Sequence, residues 1–149
     1  MLNQDYTAKL LNLKDVIIKN VENKSDQLFI QIELPRKTHI CPACGRQTDR
    51  VHDYRKQIIK DIPLGRRTFL ILRKRRYRCT CGRRFFEQNS FLPRYYRVTS
   101  RLVCAVIQAF EKVVSAKEIG CRYNTSGMTA MRYFNSFNSA LKDFVSFSF

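Results

Sequence analysis

Two cysteine pairs constrain this chain more than anything else in it: Cys41-Pro-Ala-Cys44-Gly45 and Cys79-Thr-Cys81-Gly82, with residues 45–78 between them. Tetrahedral zinc takes four thiolates, and a Cys-x-x-Cys pair ending in Gly lets a tight turn aim two sulfurs at one metal. Cys79-x-Cys81 is a tighter variant of the same knuckle. The pattern predicts one structural Zn2+ held by Cys41, Cys44, Cys79 and Cys81, each pair lying next to a strand as in a zinc ribbon. His39 and His52 are the alternatives to Cys79 or Cys81 as ligands. A redox pair is the other use of Cys-x-x-Cys, but no βαβ pattern surrounds Cys41. Four cysteine ligands leave no open coordination position, so such a zinc performs no chemistry. Metal binding would supply folding energy to a segment with few large apolar residues. Cys104 and Cys121 fall inside a helical pattern and are expected to be small buried hydrophobes.

The charge follows the cysteines. The 149 residues carry a net charge of +16. Residues 36–101 hold 19 Lys+Arg against 4 Asp+Glu, whereas residues 1–35 hold 4 against 5 and residues 102–149 hold 5 against 3. A field this lopsided attracts a polyanion and makes its binding depend steeply on salt. No stretch of 18 apolar residues is present, and Met1-Leu2-Asn3-Gln4-Asp5-Tyr6 lacks the basic and apolar regions of a secretory signal. The expected setting is therefore the cytoplasm, with no membrane partner and reduced thiols.

The predicted fold class is α+β: an N-terminal β-hairpin and a zinc-ribbon-like β module, followed by a small all-α helix-turn-helix domain. The expected divisions are 1–34 for a helix and hairpin support, 35–92 for the basic ribbon and 93–149 for the helices. A short helix is expected over 5–14. A hairpin is expected over 15–34, turning at Asn23-Lys24-Ser25-Asp26. Strands are expected at about 50–54, 56–62 and 67–79, with Pro63-Leu64-Gly65 as a turn and 87–98 as a linker. From Thr99 or Ser100, as N-cap, the residues Leu102, Val103, Val106, Ile107, Phe110 and Val113 make one helical apolar stripe.

Two stretches carry the candidate nucleic-acid contacts. Along the long strand, Arg73, Arg75 and Tyr77 alternate with Lys74, Arg76 and Arg78, so both faces would be charged. With Arg55, Arg66, Arg67, Arg83 and Arg84 nearby, phosphate contact is the natural use. Residues 115–134 fit a helix-turn-helix register. Ile119, Tyr123 and Ala130 are core positions, Gly120 is the small residue at the helix crossing, Asn124 takes the left-handed turn and Ser126 caps the second helix. Gly127, Met128, Thr129, Met131 and Arg132 would be exposed, with Ser126, Thr129 and Arg132 as the groove contacts.

Together these residues resemble the N-terminal region of ISL3-family insertion-sequence transposases (the IS204, IS1001, IS1096 and IS1165 group). The resemblance rests on Cys41-Pro-Ala-Cys44-Gly45, Val51-His52-Asp53-Tyr54-Arg55 and Ile59-Lys60-Asp61-Ile62-Pro63. It continues through Arg75-Arg76-Tyr77-Arg78-Cys79-Thr80-Cys81-Gly82-Arg83-Arg84-Phe85 and Asn89-Ser90-Phe91-Leu92-Pro93-Arg94-Tyr95 to 115–134. It implies a zinc-binding domain and a helix-turn-helix that recognise the element's terminal inverted repeats in double-stranded DNA. The family's catalytic domain is RNase H-like, with three metal-holding acids. No such triad follows here, so the chain is expected to be non-catalytic and truncated. Its partners would be the element ends, a second copy of itself or a full-length transposase. A stand-alone zinc-ribbon and helix-turn-helix regulator, and an RNA-binding zinc ribbon, are the competing readings.

Overall fold

The computed structural model describes residues 13, 15–92 and 97–146, with side chains as far as residue 142. The helix expected over 5–14 therefore lies almost wholly outside the described residues, as do Pro93 to Tyr96 and the last three residues. Among the described residues the architecture is mixed α+β, with two sheets and three helices.

Among the described residues seven strands precede the helices: β1 Ile17–Lys24, β2 Gln27–Glu33, β3 His39–Ile40, β4 Gln47–Thr48, β5 Val51–Asp61, β6 Arg67–Arg78 and β7 Arg84–Phe86. The main sheet runs β1-β2-β6-β5, with β7 also on β6. Among the described strands β2 and β6 pair in parallel and the other pairs are antiparallel. The strands expected at 50–54 and 56–62 are one continuous β5, whose irregularity sits earlier, between Val51 and Asp53. No glycine or proline falls between Val51 and Asp61 to interrupt pairing. The β1–β2 turn comes at Ser25, whose φ is +49°.

Strand β6 is central throughout and lends its two edges to different neighbours. Its first half, Arg67 to Leu72, pairs with β2, while Arg76 to Arg78 pair with β7 on that side. Ile18, Ile30, Ile32, Ile59, Leu70, Leu72, Phe91 and Leu92 form the apolar core of this sheet. Each such side chain contributes about 1.5–3 kcal/mol by leaving water.

The helices are α1 Ser100–Ala109, α2 Ala116–Arg122 and α3 Gly127–Ser146. Thr99 caps α1 by accepting from the Leu102 amide, and Ser115 caps α2 through the Glu118 amide. Leu102, Val106, Ala109, Ile119 and Ala130 make their core. The apolar stripe ends sooner than its pattern suggests: α1 stops at Ala109, and Val113 stands fully exposed. Cys104 and Cys121 are also exposed rather than buried, because each faces away from that core.

Close approach fixes the α2–α3 pair. A Cβ on Gly120 would lie 2.7 Å from the Gly127 nitrogen, so glycine is required there. A Cβ on Gly127 would in turn meet the Lys117 nitrogen at 3.1 Å, so Gly127 belongs to the crossing and is not on a free face. Between them Asn124 has φ +54°.

The helices dock on β5 through one buried acid. Asp61 is 2% exposed and accepts from Thr99 Oγ1 at 2.7 Å and from Arg101 Nε at 2.7 Å, with a second Arg101 contact through Nη2. Backbone bonds run from Lys60 N to the Arg97 carbonyl and from Thr99 N to the Lys60 carbonyl. Lys60 Nζ donates to the Asn124 carbonyl at 3.1 Å. Among the described residues, no helix is long and apolar enough to cross a membrane.

Candidate metal centre and nucleic-acid interface

The two knuckles are built alike. Gly45 and Gly82 have φ of +72° and +87°, a conformation that glycine adopts without strain. The Gly45 amide donates to the Cys41 carbonyl and the Gly82 amide to the Cys79 carbonyl. The Cys41 amide donates to the Arg46 carbonyl and the Cys79 amide to the Arg83 carbonyl, closing each loop. The short β3–β4 pair carries the first knuckle, and the end of β6 with β7 carries the second.

These turns bring four sulfurs together. The Sγ atoms of Cys41, Cys44, Cys79 and Cys81 all lie within 4.8 Å of one another. Cys41 and Cys81 are 3.7 Å apart, and Cys44 and Cys79 are 3.4 Å apart. A tetrahedron with Zn–S of about 2.3 Å sets its sulfurs about 3.8 Å apart. A disulfide needs about 2.05 Å, and all six cysteines are free. The donor set fits one structural zinc ion, and neither histidine belongs to it. His39 instead packs its ring 4.5 Å from that of Tyr77, with Nε2 buried and unpaired.

The thiols cannot ionise independently. Cys79 is drawn down to about 6, first by the Cys81 amide and then by neighbouring thiols. The Arg46 amide favours the Cys44 thiolate, yet sharing a proton with Cys79 pushes Cys44 up to about 11. A dication lets all four carry their charge together.

The basic strand differs from its expected role. Arg75 is turned inward and is 8% exposed. Its Nη1 lies 3.4 Å from Glu87 Oε2, its Nη2 lies 3.4 Å from Glu33 Oε2, and its amide donates to Glu87 Oε1 at 2.8 Å. It is a buried structural ion, because β2 and the segment after β7 close over that face. Arg73 donates to Glu33 at 2.9 Å and lies over the Tyr54 ring, its charge held more firmly by that carboxylate. Arg76 makes a two-pronged bond to Asp53, which holds that carboxyl below its usual range. Lys74 is half-buried over the Phe86 ring.

The other basic residues lie on the surface. Arg55, Arg66, Arg67, Arg78, Arg83 and Arg84 are exposed, though Arg67 reaches Asp26 and Arg55 reaches Asp53 at 3.6 and 3.9 Å. On α3, Ser126 and Arg132 are exposed and Thr129 is half-exposed. The Ser126 hydroxyl accepts from the Thr129 amide at 3.0 Å, so it caps α3. Neither Glu87 nor Asp61, which organise these two regions, was among the expected site residues. Each is a single acid in a basic stretch, a sign that it neutralises something.

Residues 37–82 match the family described as the zinc-finger of transposase IS204/IS1001/IS1096/IS1165. The chain is 32% identical over 92 residues to the transposase for insertion sequence element IS1001 of Bordetella parapertussis. That alignment covers 60% of this chain and 23% of the relative, so the chain spans about a quarter of the protein it matches. No solved structure matches. The four cysteines in zinc geometry all lie inside the segment that matches this zinc-finger family.

Proposed function

We propose that this chain is the DNA-binding part of an ISL3-family transposase and recognises the terminal inverted repeats of the mobile element without itself cutting DNA. The observation that supports it most is the zinc-finger match over 37–82 within the segment that holds most of the positive charge. In this reading the zinc ribbon over 35–92 contacts phosphates, and the unit over 93–149 is a helix-turn-helix. The zinc is structural: it cross-links the knuckle after β3 to the end of β6 and, with four sulfurs around it, leaves no position for substrate. Ser126, Thr129 and Arg132 sit at the start of α3, the part of a recognition helix that enters the major groove. The protein works in the cytoplasm on double-stranded DNA.

The test is a titration of the zinc-loaded chain with duplexes carrying element ends, scrambled duplexes and structured RNA at one fixed salt. Preference for the ends by tenfold or more supports the reading. Equal affinity for all three, or preference for RNA, contradicts it.

A further inference from the structure

The arginines in the middle of β6 are engaged by Glu33, Glu87 and Asp53, so the positive charge left over collects elsewhere. Arg36, Arg50, His52 and Arg78 line one open cleft of about 720 Å3, with Cys79 and Thr80 at its edge. The side chains of these four residues are exposed. Among the described residues no acid forms an ion pair with any of them. Asp53, next to His52 in sequence, is already engaged by Arg76.

Their backbones are fixed. The Arg78 amide donates to the Arg50 carbonyl at 2.9 Å, and Thr48 Oγ1 donates to the Arg78 carbonyl at 2.9 Å. Arg36 Nη2 donates to the Asp49 carbonyl at 3.2 Å, leaning that guanidinium toward the same segment. Three guanidiniums converging without a carboxylate repel one another until an anion is shared among them. Their planar forks suit phosphate oxygens, each able to grip two at once. At about 720 Å3 the open cleft has room for more than a lone ion.

We propose that this cleft seats the phosphodiester backbone of one DNA strand and so sets the register of the ribbon on the duplex. The proposal rests on the DNA-binding reading and deepens it. It moves the phosphate contacts from the middle of the basic strand to the groove beside the metal. The zinc serves the cleft indirectly, by holding Cys79, and with it Arg78 and Thr80, against the first knuckle. Base identity is left to other parts of the chain, because phosphate contacts position without specifying.

The test compares the double variant Arg50→Ala/Arg78→Ala with Arg73→Ala and the unaltered chain. Duplex DNA is titrated over a salt series, and zinc content and unfolding midpoint are measured alongside to establish that each protein is folded. The double variant should bind at least tenfold more weakly at about 0.1 M salt. Its plot of log affinity against log salt should be shallower by about two, one unit per lost phosphate contact. Arg73→Ala should change affinity by less than about twofold. An unchanged slope in a folded double variant, with the parent chain still binding duplex, overturns the cleft and leaves the DNA-binding reading standing. Failure of the parent chain to bind any duplex overturns both. Tighter binding of structured RNA through Arg50 and Arg78 overturns the assignment to DNA.

Discussion

Strand β6 enters the sheet among Thr68, Leu70 and Leu72 and leaves it among Arg75, Tyr77 and Cys79. The first half is held by aliphatic side chains that bury completely against Ile30, Ile32 and Ile59. The second half is held by ion pairs, a ring stack between Tyr77 and Phe85, and a four-sulfur site. One twelve-residue strand thus passes between two kinds of cohesion. The buried face changes as it does so, from Thr68, Leu70 and Leu72 to Arg75 and Tyr77. Hydrophobic burial is non-directional and forgiving of sequence, whereas a metal site and a buried ion pair fail when one partner is lost.

Removing the metal should separate the two halves most sharply. Structural zinc in finger peptides contributes about 10–16 kcal/mol, so Cys79→Ser or chelation should abolish amide protection in the knuckles and β7. Protection at Ile30, Leu70 and Leu72 should survive, as measured by hydrogen exchange. Collapse of the whole sheet on chelation would show that the two halves are one cooperative unit.

Next in size is Arg75→Ala. It leaves Glu87 buried with its charge uncompensated, while Glu33 keeps Arg73, at a cost of about 3–5 kcal/mol. Leu70→Ala removes a fully buried side chain from the other half and should cost about 2–5 kcal/mol, with zinc stoichiometry unchanged. Denaturant unfolding checks both. An Arg75→Ala protein as stable as its parent would mean that this face is not closed around the ion.

Much of this was legible in the sequence, for reasons that differ between the halves. The hairpin expected over 15–34 was legible because Leu28, Ile30, Ile32 and Leu34 recur at the period of a half-buried strand. Cys41, Cys44, Cys79 and Cys81 were legible because zinc accepts few ligand types at few spacings. Asn124 and Gly120 were readable because positive φ and close backbone approach each narrow the choice of residue. Arg75 was misread as a phosphate contact. Charge count says nothing about partners, and Glu33 and Glu87 come from segments 42 and 12 residues away. Arg36, Arg50, His52 and Arg78 escaped notice as a group because only the fold brings them to one cleft. The exposure of Val113 followed from a helix ending that no proline or glycine announces.

Smaller effects sharpen the same contrast. Thr99→Ala removes both the α1 cap and a hydroxyl that donates to Asp61, and should lower stability by about 1–2 kcal/mol in thermal unfolding without altering zinc content. Asp53, whose carboxyl is held low chiefly by its bonds from Arg76, should give the faintest signal. A depressed folded-state value means that its contribution is complete above the unfolded value of about 3.9 and fades as pH falls through the folded one. Arg76→Ala should remove that acid-side dependence, seen as a flatter plot of stability against pH in that range.

The division of β6 between aliphatic packing and a metal centre stands or falls with the zinc shell. X-ray absorption at the zinc edge, on purified protein of known metal content, tests it most directly. The account predicts one zinc per chain with four sulfurs at about 2.3 Å. A shell containing a histidine nitrogen, or a folded chain that takes up no zinc, would contradict it.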